Sequence, residues 1–242
     1  MKKSKRNHLL ESVASIFEKE KHGAVLDLGC GDGDYSVRLA RLGFDVTAGD
    51  MDQERFRYPG EITFKNCDVT QPLPFADASF DYVVFLEIIE HLRNPYSVVR
   101  ELHRVLKPGG KLVLSTPNIL SLRSRVRFLI EGNYNYFREA PLDQIKNPKE
   151  KIFNLHIVPY RYHELEYLLH AGGFEVEAVR TSVREGYEWS FLEPIVRLQL
   201  ALREGRSRRK NGLDYTRIHN VLKLPEILYG RHLIVKASKV SS

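Results

Sequence analysis

The stretch Val25-Leu26-Asp27-Leu28-Gly29-Cys30-Gly31-Asp32-Gly33-Asp34-Tyr35 decides the fold of this 242-residue chain. A short apolar run enters it and three alternating glycines turn it. Ser36-Val37-Arg38-Leu39-Ala40-Arg41-Leu42 then leaves with helical spacing. The reading is strand, tight turn, helix. Glycine permits positive φ and carries no Cβ, so such a turn can press its backbone against a ligand. The helix that follows aims unpaired N–H groups at the same place. The spacing departs from the dinucleotide fingerprint G-x-G-x-x-G, because Asp34 takes the third glycine's position. Asp27 sets a carboxylate ahead of the turn, which repels a pyrophosphate and suits an ammonium or sulfonium group.

Outward from this turn, strand and helix patterns alternate. Phe44 to Gly49 reads as a second strand, and Asp50 ends it about 20 residues past the first glycine, the distance of a ribose-binding acid. Ile62 to Asn66 is a third strand, followed by Asp68. Phe80 to Leu86 is a near-continuous apolar run that suits the centre of a parallel sheet, and Glu87 ends it. Lys111 to Ser115 is a fifth strand, Phe174 to Thr181 a sixth, and His232 to Ser238 a last one that pairs antiparallel at the sheet edge. Helices are expected over 8–20, 35–42, 95–106, 119–130 and 162–171, with a short one within 51–57. The alternation predicts an α/β fold with ligands beyond the carboxyl ends of the strands, where Asp27, Asp50, Asp68 and Glu87 all fall.

These blocks, with Glu90-His91-Leu92 and Arg104-Val105-Leu106-Lys107-Pro108-Gly109-Gly110, resemble the class I S-adenosylmethionine-dependent methyltransferases of the type 11/12 group over about residues 23–118. The resemblance implies a Rossmann-like, seven-stranded, mostly parallel sheet with an antiparallel last strand. It implies a single domain over 1–242, with its core at about 22–118, 159–182 and 229–239 and cap segments at about 119–158 and 183–228. S-adenosylmethionine is the implied cofactor. Asp27 and the Gly29, Cys30, Gly31 and Gly33 turn would meet its amino-acid end, and Asp50 its ribose hydroxyls. Met51 would pack on the adenine, Asp68 and Val69 would receive the exocyclic amine, and Leu86 and Glu87 would floor the sulfonium.

The chemistry centres on Glu87-Ile88-Ile89-Glu90-His91, where the acids and the imidazole are spaced i, i+3, i+4 and share a side if a helical turn starts there. His156 lies downstream. The group resembles those of ubiquinone-pathway O-methyltransferases and of small-RNA 2′-O-methyltransferases, in which such Glu/Glu/His/His sets hold a divalent cation. That implies Glu87, Glu90, His91 and His156 around Mg²⁺ or Mn²⁺. The competing expectation is metal-free catalysis by His91 as proton acceptor with Glu90 beside it.

The net charge of +6 and pI of 9.2 permit nucleic acid, an anionic membrane surface or a phosphorylated substrate, and select none. Two cysteines without a C-x-x-C pair argue against a disulfide framework or a zinc site and for a cytoplasmic setting. Neither a secretory signal nor a membrane-spanning run is legible. Arg123, Arg125 and Arg127 lie among apolar residues ahead of the aromatic stretch 134–137, an arrangement suited to a phosphate-bearing acceptor. This segment resembles bacterial methyltransferases of cell-envelope glycan assembly. The amphipathic stretches 119–130 and 189–202 suit a membrane surface, residues 138–151 read as a mobile loop, and Arg203 to Lys210 as a solvated basic loop. The expected reaction is O-methylation of a small-molecule or glycan- or lipid-linked acceptor. RNA, through the 206–210 basic run, is the competing acceptor, and a regulatory protein that binds the cofactor without turnover is the non-enzymatic alternative.

Overall fold

The computed structural model describes residues 5–137, 156–211 and 214–240. The expected mobile loop at 138–151 lies outside them. Strand β1 (Ala24–Leu28) pairs in parallel with β2 (Asp45–Asp50) and with β4 (Phe80–Leu86). β3 (Thr63–Asn66) extends the sheet beyond β2, and β5 (Leu106–Pro117) extends it beyond β4. β7 (His232–Lys239) runs antiparallel to β5, and β6 (Phe174–Arg180) antiparallel to β7. The seven strands lie in the order β3-β2-β1-β4-β5-β7-β6.

Strand alternation divides the core into two layers, because successive side chains leave a strand on opposite faces. Leu26, Leu28, Val83, Phe85, Leu112 and Leu114 pack against α3 (Pro95–Val105) and α5 (Tyr162–Ala171) through Val98, Leu102, Leu165 and Leu169. Val25, Tyr82, Val84 and Val113 pack on the other face against α1 (Lys5–Phe17) and α2 (Asp34–Arg41) through Val13, Phe17, Val37 and Leu39.

Three sequence expectations change. The last strand is not at the sheet edge: Leu233 and Val235 join one layer while Ile234 joins the other, so β7 is covered on both faces. The half-exposed β6 takes the edge. The fifth strand begins at Leu106 rather than Lys111. Phe80 pairs with Leu106 and Tyr82 with Lys111, so the Lys107-Pro108-Gly109-Gly110 segment bulges out between them, with Gly109 at φ 71°. The basic run from Arg203 is helical: α6 spans Glu193–Asn211, since Arg, Lys, Leu and Glu are good helix formers and no proline falls between Pro194 and Asn211.

α4 (Leu122–Glu131) is capped by Ser121, whose hydroxyl accepts from the Ser124 N–H at 3.2 Å, and it stops at the left-handed Gly132. Leu122, Leu228 and Tyr229 form a small cap cluster with Trp189, Leu192 and Val196. Asn118 joins cap to sheet. Its buried amide donates to the carbonyls of Gly230 at 2.8 Å and Ile227 at 2.9 Å, and its backbone N–H to Arg231 at 3.1 Å. Removing the amide strands these buried carbonyls, so Asn118→Ala is expected to lower the unfolding free energy by about 1–3 kcal/mol in urea titrations. An unchanged midpoint would show that this tie contributes nothing.

Candidate active site

The carboxyl ends of β1, β2, β3 and β4 border one cavity of about 420 Å³. Gly29 lines it from the first turn, Asp50, Met51, Asp52 and Arg55 from the end of β2, and Cys67, Asp68, Val69 and Thr70 from the end of β3. Glu87, Ile88, His91 and Leu92 close it from beyond β4. Gly29 has φ 75°, and a Cβ there would lie 1.9 Å from Ile88 Cδ1. Asp50 is fixed by two backbone donors: the Gly31 N–H reaches Oδ2 at 2.8 Å and the Asp52 N–H reaches Oδ1 at 2.9 Å. Asp68 accepts from the Thr70 N–H and hydroxyl, both at 2.8 Å. A larger open depression of about 720 Å³ between α3 and residues 171–173 shares Val69 and Thr70 with this cavity but has neither the glycine turn nor residues 87–91.

Other residues expected at the cofactor sit behind the cavity wall. Asp27 is buried on the α2 face and accepts the Ser36 hydroxyl at 2.6 Å. Cys30 is buried as well; enclosure and the Asp27 and Asp50 charges push its thiol far up. Gly31 acts through its N–H on Asp50, Gly33 caps α2 beneath Phe56, and Leu86 packs against the α1/α2 layer. Asp32 and Asp34 bind Arg57 at 3.0 and 2.8 Å, and Tyr58 donates to Asp34 at 2.9 Å. They hold the loop after β2 against the turn.

Beyond β4 the two glutamates diverge. Glu87 sits at φ 55°, an unfavourable left-handed conformation for a residue with a Cβ, and its N–H donates to the Ser115 carbonyl at 3.1 Å. A 3₁₀ turn follows at Ile89–His91. Glu90 therefore points into the core, fully buried. Thr116 donates to its Oε2 at 3.0 Å, while Oε1 has no hydrogen-bond partner and lies 3.9 Å from His156 Nε2. The Glu90 carbonyl accepts from the Ile157 and Val158 N–H groups, which brings His156 in. The His156 ring meets His91 edge-on at 4.8 Å. Donor atoms of Glu90, His91 and His156 all lie within 4.8 Å of one another.

Glu87, expected in the same metal set, is turned away from it. Its Oε1 accepts the Ser115 hydroxyl at 2.7 Å and its Oε2 lies 3.7 Å from His232 Nε2. His232 also bonds Ser182 through Nδ1 and stacks on Tyr136. The Arg231 guanidinium lies 4.9 Å over the Tyr136 ring, and the Tyr136 hydroxyl donates to Glu185 at 3.1 Å. Of these residues only Tyr136 lies in a stretch the sequence reads as functional, and its place beside His232 and Glu87 is not legible there. Only the antiparallel placement of β7 brings its first residue to the carboxyl ends of the parallel strands.

Burial governs the protonation states. It pushes Glu87 up to about 7 although 28% of its side chain remains exposed, opposed by the Ser115 hydrogen bond and the Arg231 charge. Glu90 is raised well above the carboxylate range by burial and then by Glu87. His156 falls to about 4 through burial and the neighbouring His91, and His232 to about 3 through burial and Arg231.

Residues 26–114 match the family model described as a methyltransferase domain. Over these residues the chain is similar to methyltransferase domains. A ubiquinone biosynthesis O-methyltransferase of Xanthomonas oryzae pv. oryzae is 38% identical over 129 residues, 46% of this chain and 54% of the relative. A probable S-adenosylmethionine-dependent methyltransferase of Mycolicibacterium smegmatis is 34% identical over 158 residues, 63% of this chain and 52% of the relative. The chain thus spans about half the length of the curated relatives it matches. The solved S-adenosylmethionine-dependent methyltransferase of Archaeoglobus fulgidus superposes with a TM-score of 0.61 at 18% identity, covering 98% of this chain and 95% of that one, which shows a shared fold.

The buried acid gives the fold a pH signature. Folded Glu90 keeps its proton to higher pH than unfolded Glu90, so above the ordinary value of 4.5 the folded state binds more protons and rising pH favours unfolding. His156 and His232 act in the opposite sense, and their contribution is complete once pH passes the ordinary histidine value of 6.5. In chelator, the urea midpoint of Glu90→Gln is expected to gain on wild type progressively from about pH 5 to pH 8. A difference that does not vary with pH would contradict a protonated, buried Glu90.

Proposed function

We propose that the chain transfers a methyl group from S-adenosylmethionine to an oxygen of a small-molecule acceptor, with His91 as the proton acceptor. The supporting observation is one cavity with Asp50 and Asp68 on one side and Glu87 and His91 on the other. The cradle fits the cofactor: Gly29 leaves no room for a Cβ, and the Asp50 carboxylate is aligned by two amides while keeping lone pairs for ribose hydroxyls. Met51, Asp68 and Val69 would hold the adenine, Gly29 the amino-acid end, with the Gly31 N–H fixing Asp50 behind it, and Glu87 the sulfonium side. Asp27, Cys30, Gly33 and Leu86 would act from behind, by shaping the turn and the strand end.

The bound cofactor supplies an electrophilic methyl group whose bond to sulfur breaks as the new oxygen–carbon bond forms. His91 takes the acceptor's hydroxyl proton. The fully enclosed Glu90 positions the 89–91 turn through Thr116. Ile88 and Leu92 exclude water from the reacting atoms. The O-methyltransferase relatives support an oxygen acceptor, and a small-molecule, glycan-linked or lipid-linked hydroxyl suits this cavity.

The unpartnered Glu90 Oε1 beside His91 and His156 favours a second reading, in which Glu90, His91 and His156 hold a divalent cation that lowers the pKa of the acceptor hydroxyl. Two imidazoles and one carboxylate suit Mn²⁺ better than Mg²⁺. Glu87 would stand outside this set, bonded to Ser115. An RNA 2′-hydroxyl acceptor belongs to this reading.

Calorimetry on metal-stripped protein tests the core proposal. One-site binding of S-adenosylmethionine is expected, weakened by about 10- to 100-fold in Asp50→Ala, since each hydrogen bond to a charged group contributes about 1.5–3 kcal/mol. Across a panel of phenols and catechols, with S-adenosylhomocysteine release as readout, His91→Ala is expected to lower kcat by about 100-fold or more at unchanged cofactor affinity. Turnover restored by Mn²⁺ and lost in His156→Ala would select the metal reading, and failure to bind the cofactor would refute both.

A further inference from the structure

The outward face of α6 is chemically unlike the surface of an ordinary solvated helix. A surface helix carries one apolar stripe, toward the core. α6 carries that stripe in Val196, which packs in the cap cluster, and Leu200, which is buried. It also carries a second one. Phe191 in the preceding 3₁₀ turn, then Ile195, Leu198 and Leu202, spaced four, three and four residues apart, are all exposed, Phe191 to 64% and Leu198 to 60%. The neighbouring α4, whose Arg123 side chain lies against Gly186 at the start of that turn, ends in exposed Phe128, Leu129 and Ile130, with Leu129 at 84%. Apolar side chains in such number are rarely left in water without a function.

We propose that this face docks on an anionic lipid bilayer, as a peripheral contact. Among the described residues no helix is long and apolar enough to cross a membrane. What favours lipid over a protein occupant is charge. The apolar stripe leads into exposed Arg203 and Arg206, the helix continues through the Arg208-Arg209-Lys210 stretch, and the chain as a whole is at +6. An apolar stripe with basic residues along the same helix is the pattern of interfacial binding to acidic headgroups.

The surface also connects to the site. Residues 184–186 lead into the exposed turn, and Glu185 accepts from Tyr136, which stacks on His232 beside Glu87. Resting on the methyl-transfer reading only in this respect, docking would present the acceptor side of the cavity to a hydroxyl carried by a membrane lipid.

Co-sedimentation of the full chain with phosphatidylcholine vesicles, with and without about 30% phosphatidylglycerol, tests the docking itself and needs no turnover. Binding at least about tenfold stronger to the anionic vesicles, and weakened by raising salt from about 0.1 to 0.5 M, is expected. Ile195→Glu with Leu198→Glu should abolish it, and Arg203→Glu with Arg206→Glu should remove the preference for anionic lipid. All of these are exposed positions, so an unchanged urea midpoint and unchanged S-adenosylmethionine binding should accompany both losses. Wild-type protein that ignores anionic vesicles, or Ile195→Glu/Leu198→Glu protein that still binds them, would overturn the proposal. So would a wild-type dimer that the same double variant dissociates, because the face would then be an interface between two copies.

Discussion

Much of this molecule depends on one close approach. Gly29, in the turn after β1, and Ile88, beyond β4, meet where a Cβ on residue 29 would stand 1.9 Å from the isoleucine's Cδ1. β1 and β4 are hydrogen-bonded neighbours, so their C-terminal turns must pass each other. The positive φ of Gly29 folds one turn back, and the left-handed Glu87 swings the other across it. Residues 88–91 hang from that crossing. The Gly29–Asp50 half and the Glu87–His91 half of the cavity are therefore not separate modules, and a change in either turn moves the other.

The left-handed Glu87 has a second consequence. A regular helical turn from residue 87 would set Glu87, Glu90 and His91 on one side. The observed turn sends Glu90 inward, to Thr116 and His156, and Glu87 toward Ser115 and His232. Two acids three residues apart thus serve two different histidines. Both histidines are held well below their ordinary pKa by burial, so the imidazoles are neutral where the carboxyls keep protons. A neutral imidazole can accept a proton or bind a cation. The orphaned Oε1 of Glu90 is satisfied by a proton in the first case and by a cation in the second.

What was legible in the sequence was what is local. The glycine turn, Asp50, Asp68 and the Glu87–His91 group are each fixed by short-range spacing, and the parallel half of the sheet follows from alternation. His232 and Arg231 were not legible, nor was the nearness of Tyr136 to Glu87, because it depends on a strand that inserts antiparallel between β5 and β6. The apolar run of β7 signals a strand without saying where it sits. The segment from Arg203 misled for another reason: polarity marks exposure to water, and an exposed helix is as polar as a loop. Asp32 and Asp34 show the same limit, since their partners Arg57 and Tyr58 are more than twenty residues away.

The placement of β7 also separates the cap segment from the glycine turn. The segment between β6 and β7 leaves and returns at one point. The Arg231 N–H donates to the Val183 carbonyl at 3.0 Å and the Glu185 N–H to Tyr229 at 2.7 Å, with an antiparallel bridge between Arg184 and Gly230. Asn118 clamps the same neck from the end of β5. Everything between residues 186 and 228 is thus a loop closed at its base, beside His232. Because loop-closure entropy grows only slowly with length, such a segment can acquire a long helix such as α6 at small thermodynamic cost. Its neck reaches Glu87 and His232 through Arg231 and Glu185, while Asp50 and the glycine turn stand on the far side of β4. The topology thereby sets the glycine turn and Asp50 apart from the segment that closes beside His232.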